Sequence, residues 1–428
     1  MRFRKMPRKD RIQYRKRRTY AIVTSAAKGS PVYGELYKNI KEPFTPDEIP
    51  FVTRGTLISS ELQWVNGDLY TGEEVAGTAT PVKAGKAEKF VRIKSAGTDQ
   101  PSEEFIFSKD DFNRQIAWAM LRLLPRREHK WIYLLKGGKE ADICRVGTGD
   151  FAEEFFTALS DNAPFGRNHV IIDDKTPMAQ IVAILNDRKP VVLTGTPYQI
   201  LRLCDEKKAS RLKIEPVCIV THGELLTDEA RKKITDTFNA DVSNFYYTAE
   251  SGVVAYECRE HHLHVAESNV DVEEREDGIY ITAYDSYAQP VIKYRIEDRV
   301  TLHEDCLCGD IAPWMEVKGR LFDTVRFTRG SQPVDIRMSS LEKVVSEVKE
   351  VKRYQIFVAP GNIITLRLGV KRGKDKNGVF LAVERAIREY LKTLGITGAA
   401  ITMDRNDPEP DEQSGRFSTV IKEQKLKK

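Results

Sequence analysis

Two thiols two residues apart, Cys306 and Cys308 in HEDCLCGD, have a spacing that invites chemistry. Upstream, YECREHHLHVAE (256–267) supplies Cys258 with His261, His262 and His264, and His303 precedes the thiol pair. Such a group can hold a metal, cycle between dithiol and disulfide, or amount to exposed thiols beside surface histidines. Nitrogen and sulfur donors in this mixture suit tetrahedral zinc. Vicinal thiols in a reducing compartment stay reduced, which weakens the redox reading. Cys144, Cys204 and Cys218 lie in apolar runs and are read as core residues. A second stretch, KSAGTDQPSEEF (94–105), is rich in hydroxyls and small residues. Ser95, Gly97 and Thr98 there offer hydroxyls and close backbone amides to a phosphate chain.

At 428 residues the chain is long enough for two or three domains. Its 41% hydrophobic and 31% charged residues are those of a soluble globular protein. No apolar run approaches the roughly 18 residues that cross a bilayer, so no membrane partner is expected. The N-terminus lacks a signal-like apolar stretch, and six scattered cysteines are too sparse for a disulfide scaffold. A cytoplasmic location is the simplest expectation. Residues 1–18 hold ten Lys or Arg against one Asp, whereas the whole chain carries +5. The body is therefore mildly acidic. This basic segment is read as a solvated or helical N-terminus. No aromatic-and-basic platform recurs downstream, so a nucleic-acid partner is not expected.

Positioning elements follow from periodicity. DDFNRQIAWAMLRLL (110–124) has helical spacing behind an acidic start. VIID (170–173), VVLTGTP (191–197) and VCIVTHGE (217–224) are short apolar runs, separated by helical MAQIVAILND (178–187) and LTDEARKKITDTF (226–238). That alternation predicts a parallel sheet covered by helices, with ligands at the carboxyl ends of its strands. SAGTDQP is read as a turn between a strand, FVRI, and the helix at 110. GIYITAYD and PVIKYRIED, after residue 278, read as antiparallel strands. Beyond Arg320 a helix over VDIRMSSLEKVVSEVKEV, strands RYQIFVA and IITLRLGV, and a helix FLAVERAIREYLKTLG make a small α+β unit. The expected domains are a basic segment 1–18, a large domain 19–318 and a C-terminal domain 319–428, with the boundary at 318–324.

The order of segments carries further information. IPFVTRGTL (49–57), SAGTDQP, THGELL (221–226), FYYTAESG (245–252), PVIKYRIED (290–298), CLCG (306–309), KGRLFD (318–323) and SGRFSTVIKE (414–423) follow one another along the chain. This succession resembles the phenylacetate-CoA ligase-like branch of the adenylate-forming enzymes, from about residue 30 to the end. The resemblance implies an α/β fold: a large multi-sheet N-terminal domain of the adenylate-forming type and a small, mobile α+β C-terminal domain. It implies activation of a carboxylic acid, aryl or arylacetic, by ATP and Mg²⁺, then transfer to a thiol such as CoA or a carrier.

Residue by residue, Ser95, Gly97 and Thr98 match the phosphate loop. Gly223 and Glu224 match the adenine side, and Tyr246 the aromatic flanking the base. Glu250 matches the carboxylate that helps hold Mg²⁺. Asp298 matches the acid gripping the ribose hydroxyls, and Arg320 an arginine beside ribose and phosphate. Arg416 stands where the family has a catalytic lysine. Some members of this branch are similar in using the two Cys-bearing segments together as a zinc site, which here means Cys258, His264, Cys306 and Cys308, with His262 as the other candidate for His264. The zinc is expected to be structural.

The chain departs from the family pattern at several places. Asp99 and Gln100 replace a glycine and a phosphate-facing lysine. Tyr247 replaces a glycine, Ala249 a hydroxyl residue, Phe322 an acid and Arg416 the lysine, and arginine's planar fork is not an ammonium point charge. Two readings follow: an active ligase with a modified phosphate site, or a diverged homologue with weak or lost activity that serves a binding role or another acceptor. Self-association is left open.

Overall fold

The computed structural model describes residues 3, 6–58, 64–67, 90–95, 103–120, 122–162, 168–320, 324–411 and 417–422. The chain divides into two compact units, Met1–Lys318 and Gly319–Lys428.

In the first unit, β1 (Phe90–Lys94) and β2 (Glu104–Ser108) form an antiparallel hairpin. The expected strand–turn–helix around SAGTDQP is thus strand–turn–strand. The apolar run EFIFS forms β2, and the helix Lys109–Met120 starts directly after it. Next come β3 (Glu140–Cys144), β4 (His169–Asp173), β5 (Val192–Gly195), β6 (Cys218–His222) and β7 (Asp241–Thr248), mutually parallel in the order β4-β3-β5-β6-β7. The helices Met178–Arg188, Pro197–Lys208 and Asp228–Phe238 connect them. The sheet continues antiparallel through β8 (Gly252–Glu257) and β9 (Leu263–Val265). A separate three-stranded sheet holds β10 (Val270–Arg275), β11 (Gly278–Ala283) and β12 (Tyr294–Ile296). Finally β13 (Asp298–His303) and β14 (Trp314–Arg320) complete a nine-stranded sheet beside β9.

Parallel strands are covered on both faces and so read as continuous apolar runs. β3, β5 and β6 are buried at every position. One cluster, with Leu193, Ile200, Ile219 and Ile234, packs the connecting helices onto the sheet. A second, with Phe105, Phe112, Phe151 and Phe245, fills the space under the hairpin. The helix Pro197–Lys208, outside the sequence expectation, is set by local chemistry. Thr196 caps it by accepting from Gln199 N–H, and Pro197 takes the first turn, where its missing N–H costs nothing.

The basic N-terminus is the start of a helix, Arg8–Gly29, and its arginines face acids rather than water alone. Arg11 pairs with Glu267 and Asp310, Arg15 with Glu267 and Asp271, and Arg18 with Asp285.

Asp111, in the first turn of Lys109–Met120, is buried, and that burial pushes its carboxyl up to about 6 from 3.8. The Ser108 hydroxyl donating to Oδ2 (2.5 Å) and nearby Arg114 oppose the rise without cancelling it. Folding therefore favours the protonated acid. This group's contribution to stability is fully present below about pH 4 and is lost as pH rises through about 6, by about 3 kcal/mol. Asp111→Asn should abolish that slope. Thermal melts of the variant and parent are expected to coincide at pH 4, with the variant the more stable at pH 7.5.

The second unit is built from a hairpin of β15 (Thr324–Arg329) with β16 (Gln332–Arg337), then β17 (Val351–Ala359), β18 (Ile363–Val370), β19 (Ala400–Asp404) and β20 (Val420–Lys422), in a four-stranded sheet ordered β19-β18-β17-β20. Helices Met338–Ser346 and Lys376–Thr393 pack on it through Leu341, Val345, Val383 and Ile387. The segment VDIR, expected to open a helix, is instead the end of β16. Its alternation pairs with β15, and the helix begins only at Met338.

Candidate functional site

Four sequence segments converge where the carboxyl end of β7 meets the chain around Tyr294. Val52, in the 49–57 segment, bridges in parallel to Tyr294; its N–H donates to Lys293 O and its carbonyl accepts from Arg295 N–H, each at 2.9 Å. Arg54 Nε donates to Glu103 Oε1 at 2.6 Å. Glu103 and Ser95 exchange bonds across the mouth of the hairpin: Ser95 N–H donates to Glu103 O (2.7 Å), and Glu103 N–H donates to Ser95 Oγ (2.9 Å). Burial raises the Tyr294 phenol, Glu250 and Glu103 add to the rise, and Arg54 opposes it, so Glu250 stands in the same field.

Tyr246 lies on β7 and Asp298 opens β13. The Tyr246 hydroxyl donates to Asp298 Oδ2 at 2.5 Å, so two residues far apart in sequence are coupled directly. Both are half-buried. The strand carries a register shift between Tyr246 and Tyr247 in its pairing with β8, a local irregularity that re-aims side chains.

On the neighbouring strand, His222 of β6 is in register with Phe245 of β7, which sets Gly223 beside this site. Gly223 has φ +75°, and a Cβ there would come 3.3 Å from the Tyr247 hydroxyl. A side chain at this position would be strained and crowded. Glu224 turns its carboxylate to the start of Pro197–Lys208, accepting from Tyr198 N–H at 3.1 Å. An anion at a helix N-terminus is favourable.

Of the sequence-derived site residues, Ser95, Tyr246, Glu250, Asp298, Gly223 and Glu224 therefore lie on the loops and strand ends of one region. Arg320 is the last residue of β14. Gly97, Thr98 and Arg416, with Asp99, Gln100 and Phe322, fall outside the described residues. Trp118 packs edge-on to Tyr256 under Arg122.

The cysteine and histidine segments form a second, separate centre. Cys258 Sγ, Cys306 Sγ, Cys308 Sγ and a His264 ring nitrogen all lie within 4.8 Å of one another. Tetrahedral zinc with roughly 2.3 Å Zn–S arms needs sulfurs roughly 3.8 Å apart. Cys258 and Cys306 are 3.7 Å apart, and Cys308 Sγ lies 3.4 Å from His264 Nε2. His264 Nδ1 sits 2.8 Å from Ala312 O. A carbonyl only accepts, so Nδ1 carries the proton and Nε2 keeps its lone pair toward the sulfurs. Backbone N–H groups of Glu260, Cys308 and Asp310 donate to Cys258, Cys306 and Cys308 sulfurs at 3.3–3.5 Å. Gly309, at φ +80°, closes the second turn. The donor set fits a soft or borderline divalent ion.

His262 occupies an outer position. Its Nδ1 lies 3.2 Å from Cys306 Sγ, and its ring stacks on Trp314 at 3.8 Å, while His303 stacks on the same indole at 4.0 Å. Without an ion, burial pushes the Cys258 thiol up to about 12.

Asp310 ties this centre to the N-terminal helix. It accepts from buried Arg11 (3.3 Å) and from the Tyr256 hydroxyl (3.0 Å), while its own N–H reaches Cys308. Removing one member of such a buried ion group leaves an uncompensated charge, at a cost of about 3–5 kcal/mol. Arg11 and Asp310 are 299 positions apart, so their pairing leaves no local sequence signal.

No protein-family model matches the chain, and no curated protein matches it in sequence. Solved structures do. The chain is similar to 2-hydroxyisobutyryl-CoA ligase in the postadenylation state in complex with 2-HIB-AMP (15% identity, 98% of this chain and 90% of that one, TM-score 0.66). It is also similar to the same ligase with 2-HIB-AMP and CoA in the thioesterification state (15% identity, 98% and 91%, TM-score 0.57). The amide bond synthetase McbA from Marinactinospora thermotolerans matches over 80% of this chain and 71% of that one (13% identity, TM-score 0.52). The chain thus has the adenylate-forming fold: a large α/β unit of several sheets and a smaller α+β unit.

Proposed function

We propose that this chain activates a carboxylic acid with ATP, forming an acyl-adenylate and pyrophosphate, and passes the acyl group to a thiol such as CoA. The observation that carries the reading is the Tyr246–Asp298 hydrogen bond, which fixes an acid and an aromatic ring together at the carboxyl end of β7. Ligands bind at that end of α/β sheets. The fold supports the reading, as do the solved ligase, whose complexes hold 2-HIB-AMP and CoA, and the convergence of Ser95 and Glu250 on the same region.

In the first half-reaction a carboxylate oxygen of the acid attacks the α-phosphorus. A new P–O bond forms and the bond to the bridging oxygen breaks, with pyrophosphate taking the electron pair. Asp298 accepts the two ribose hydroxyls, and Tyr246 fixes its carboxylate while flanking the base. Gly223 lets the backbone approach adenine, and Glu224 steadies that turn. Ser95 would face the phosphate chain, and the family resemblance assigns Gly97 and Thr98 to the same loop. Glu250 would hold Mg²⁺, which neutralises phosphate charge when bound. By the family resemblance, Arg320 and Arg416 would be the residues that supply positive charge during the transfer. Little covalent work falls to these residues; they position and neutralise. In the second half-reaction the thiol sulfur attacks the acyl carbon, its proton is released, and AMP departs with the electron pair of the broken C–O bond.

Cys258, His264, Cys306 and Cys308 would hold one structural Zn²⁺. Such an ion would supply no chemistry to the acid; through these four residues it would pin the turn after β8 to the turn before β14.

Carboxylate-dependent exchange of labelled pyrophosphate into ATP tests the reading, using pooled aliphatic and aryl acids with Mg²⁺. Exchange with at least one acid is the expected result. Folded protein that exchanges with none would show that adenylation is absent.

A further inference from the structure

Tyr247, the neighbour of Tyr246 on β7, belongs to a closed circuit of rings. Tyr247 stacks on Phe151 with centroids 4.5 Å apart at 29°, and Phe151 stacks on Phe155 at 5.6 Å. Phe155 meets Phe156 edge-on at 5.2 Å, Phe156 meets His222 at 5.3 Å, and His222 returns to Tyr247 at 5.9 Å. Phe245 packs within the group, 5.5 Å from Phe155 and 5.7 Å from Tyr247. These separations are those of rings in mutual contact.

Burial across the circuit is uneven. Phe151, Phe155, Phe156, His222 and Phe245 are each at most 3% exposed, whereas Tyr247 is only half-buried. Tyr247 is therefore the ring that an incoming molecule meets. It follows Tyr246 directly, and its hydroxyl reaches both the Gly223 turn and His222 Nδ1 (3.4 Å). The strand puts Tyr246 against one hydrophobic cluster and Tyr247 against the other; it is the Tyr247 hydroxyl beside the Gly223 turn that brings this ring to the border of the site. Behind it the packing is closed. Interiors packed at this density accept an added methylene only by displacing neighbours.

We infer that Tyr247 is the residue that sets the size of the acid, and that it confines the substrate to short aliphatic acids. An acyl group joined to the α-phosphate lies against the face of Tyr247 and extends no deeper, because the five buried rings leave no space for a second ring. This inference rests on the adenylation reading above. It replaces the aryl or arylacetic expectation taken from the family resemblance.

The test compares pyrophosphate exchange by the intact protein, Tyr247→Ala and Tyr247→Phe with propionate, isobutyrate, benzoate and phenylacetate. The parent is expected to favour the short acids over the aryl acids by at least about 100-fold in kcat/KM, a difference within reach of pocket exclusion. Tyr247→Ala should narrow that ratio at least tenfold by gaining the aryl acids. Tyr247→Phe keeps the ring and should keep the ratio. Circular dichroism establishes that each variant is folded; if Tyr247→Ala does not fold, Tyr247→Gly and the parent's own acid preference decide the matter. A parent that prefers aryl acids, or a folded small-residue variant with an unchanged ratio, overturns the size limit alone. Exchange with no acid by the parent overturns the adenylation reading and the size limit with it.

Discussion

Asp298→Ala is expected to lower carboxylate-dependent pyrophosphate exchange at least about a thousandfold while leaving the fold intact. Two hydroxyls bound by an ionised carboxylate contribute about 1.5–3 kcal/mol each, and three decades of rate correspond to about 4 kcal/mol. Asp298 is half-buried at the first position of its strand, so the substitution opens no large cavity. Tyr246→Phe should cost less, about 10-fold, because it frees the carboxylate's orientation without removing its charge. Exchange kinetics at saturating acid, with the melting temperature as a control, checks both. Activity of Asp298→Ala within about tenfold of the parent would remove Asp298 from the nucleotide site.

Loss of the metal should have the largest effect on stability. Purified protein is expected to carry one zinc per chain, measured by elemental analysis, and Cys308→Ser to carry none. Structural zinc sites contribute about 10 kcal/mol to small domains that fold only around them. In a unit that also has three hydrophobic clusters among its described residues the loss should be smaller, about 4 kcal/mol, and confined at first to the turns near Cys258 and Cys306. Binding must displace thiol protons, so zinc should be retained at pH 7.5 and released progressively on acidification. Metal-free protein whose melting is indifferent to chelator and to Cys308→Ser would refute the site.

Much of this was legible in the sequence because its signals are local. VIID, VVLTGTP and VCIVTHGE announce buried parallel strands through apolar runs that stop at polar residues, and all three form strands. Segment order supplied the family resemblance, and the four metal donors are explicit residue types. Misreadings arose where two patterns overlap. VDIR alternates like a strand yet abuts a helix, and β2 is only five residues long before the helix at Lys109. The helix after Thr196 had its capping signature in view, T-P-x-Q, but the apolar run before it masked the transition. Contacts that need distant partners were beyond reach: Arg11 with Asp310, and the ring circuit that joins residues 151–156 to 222 and 245–247. No periodicity encodes those, because the fold itself brings them together.

The turn bearing Cys258 and the turn bearing Cys306 and Cys308 bracket β9 to β13. With an ion on its four ligands, that span becomes a ring in the topological sense, closed over roughly fifty residues. Closing a loop of that length removes about 4 kcal/mol of freedom from the unfolded chain. Partial opening of the span then cannot proceed by peeling from one end, since both ends are held at the same point. The intervening strands must loosen as a cooperative block or not at all. Asp298 lies within that block, so an ion remote from the reaction would govern how long the nucleotide's anchoring carboxylate stays in place.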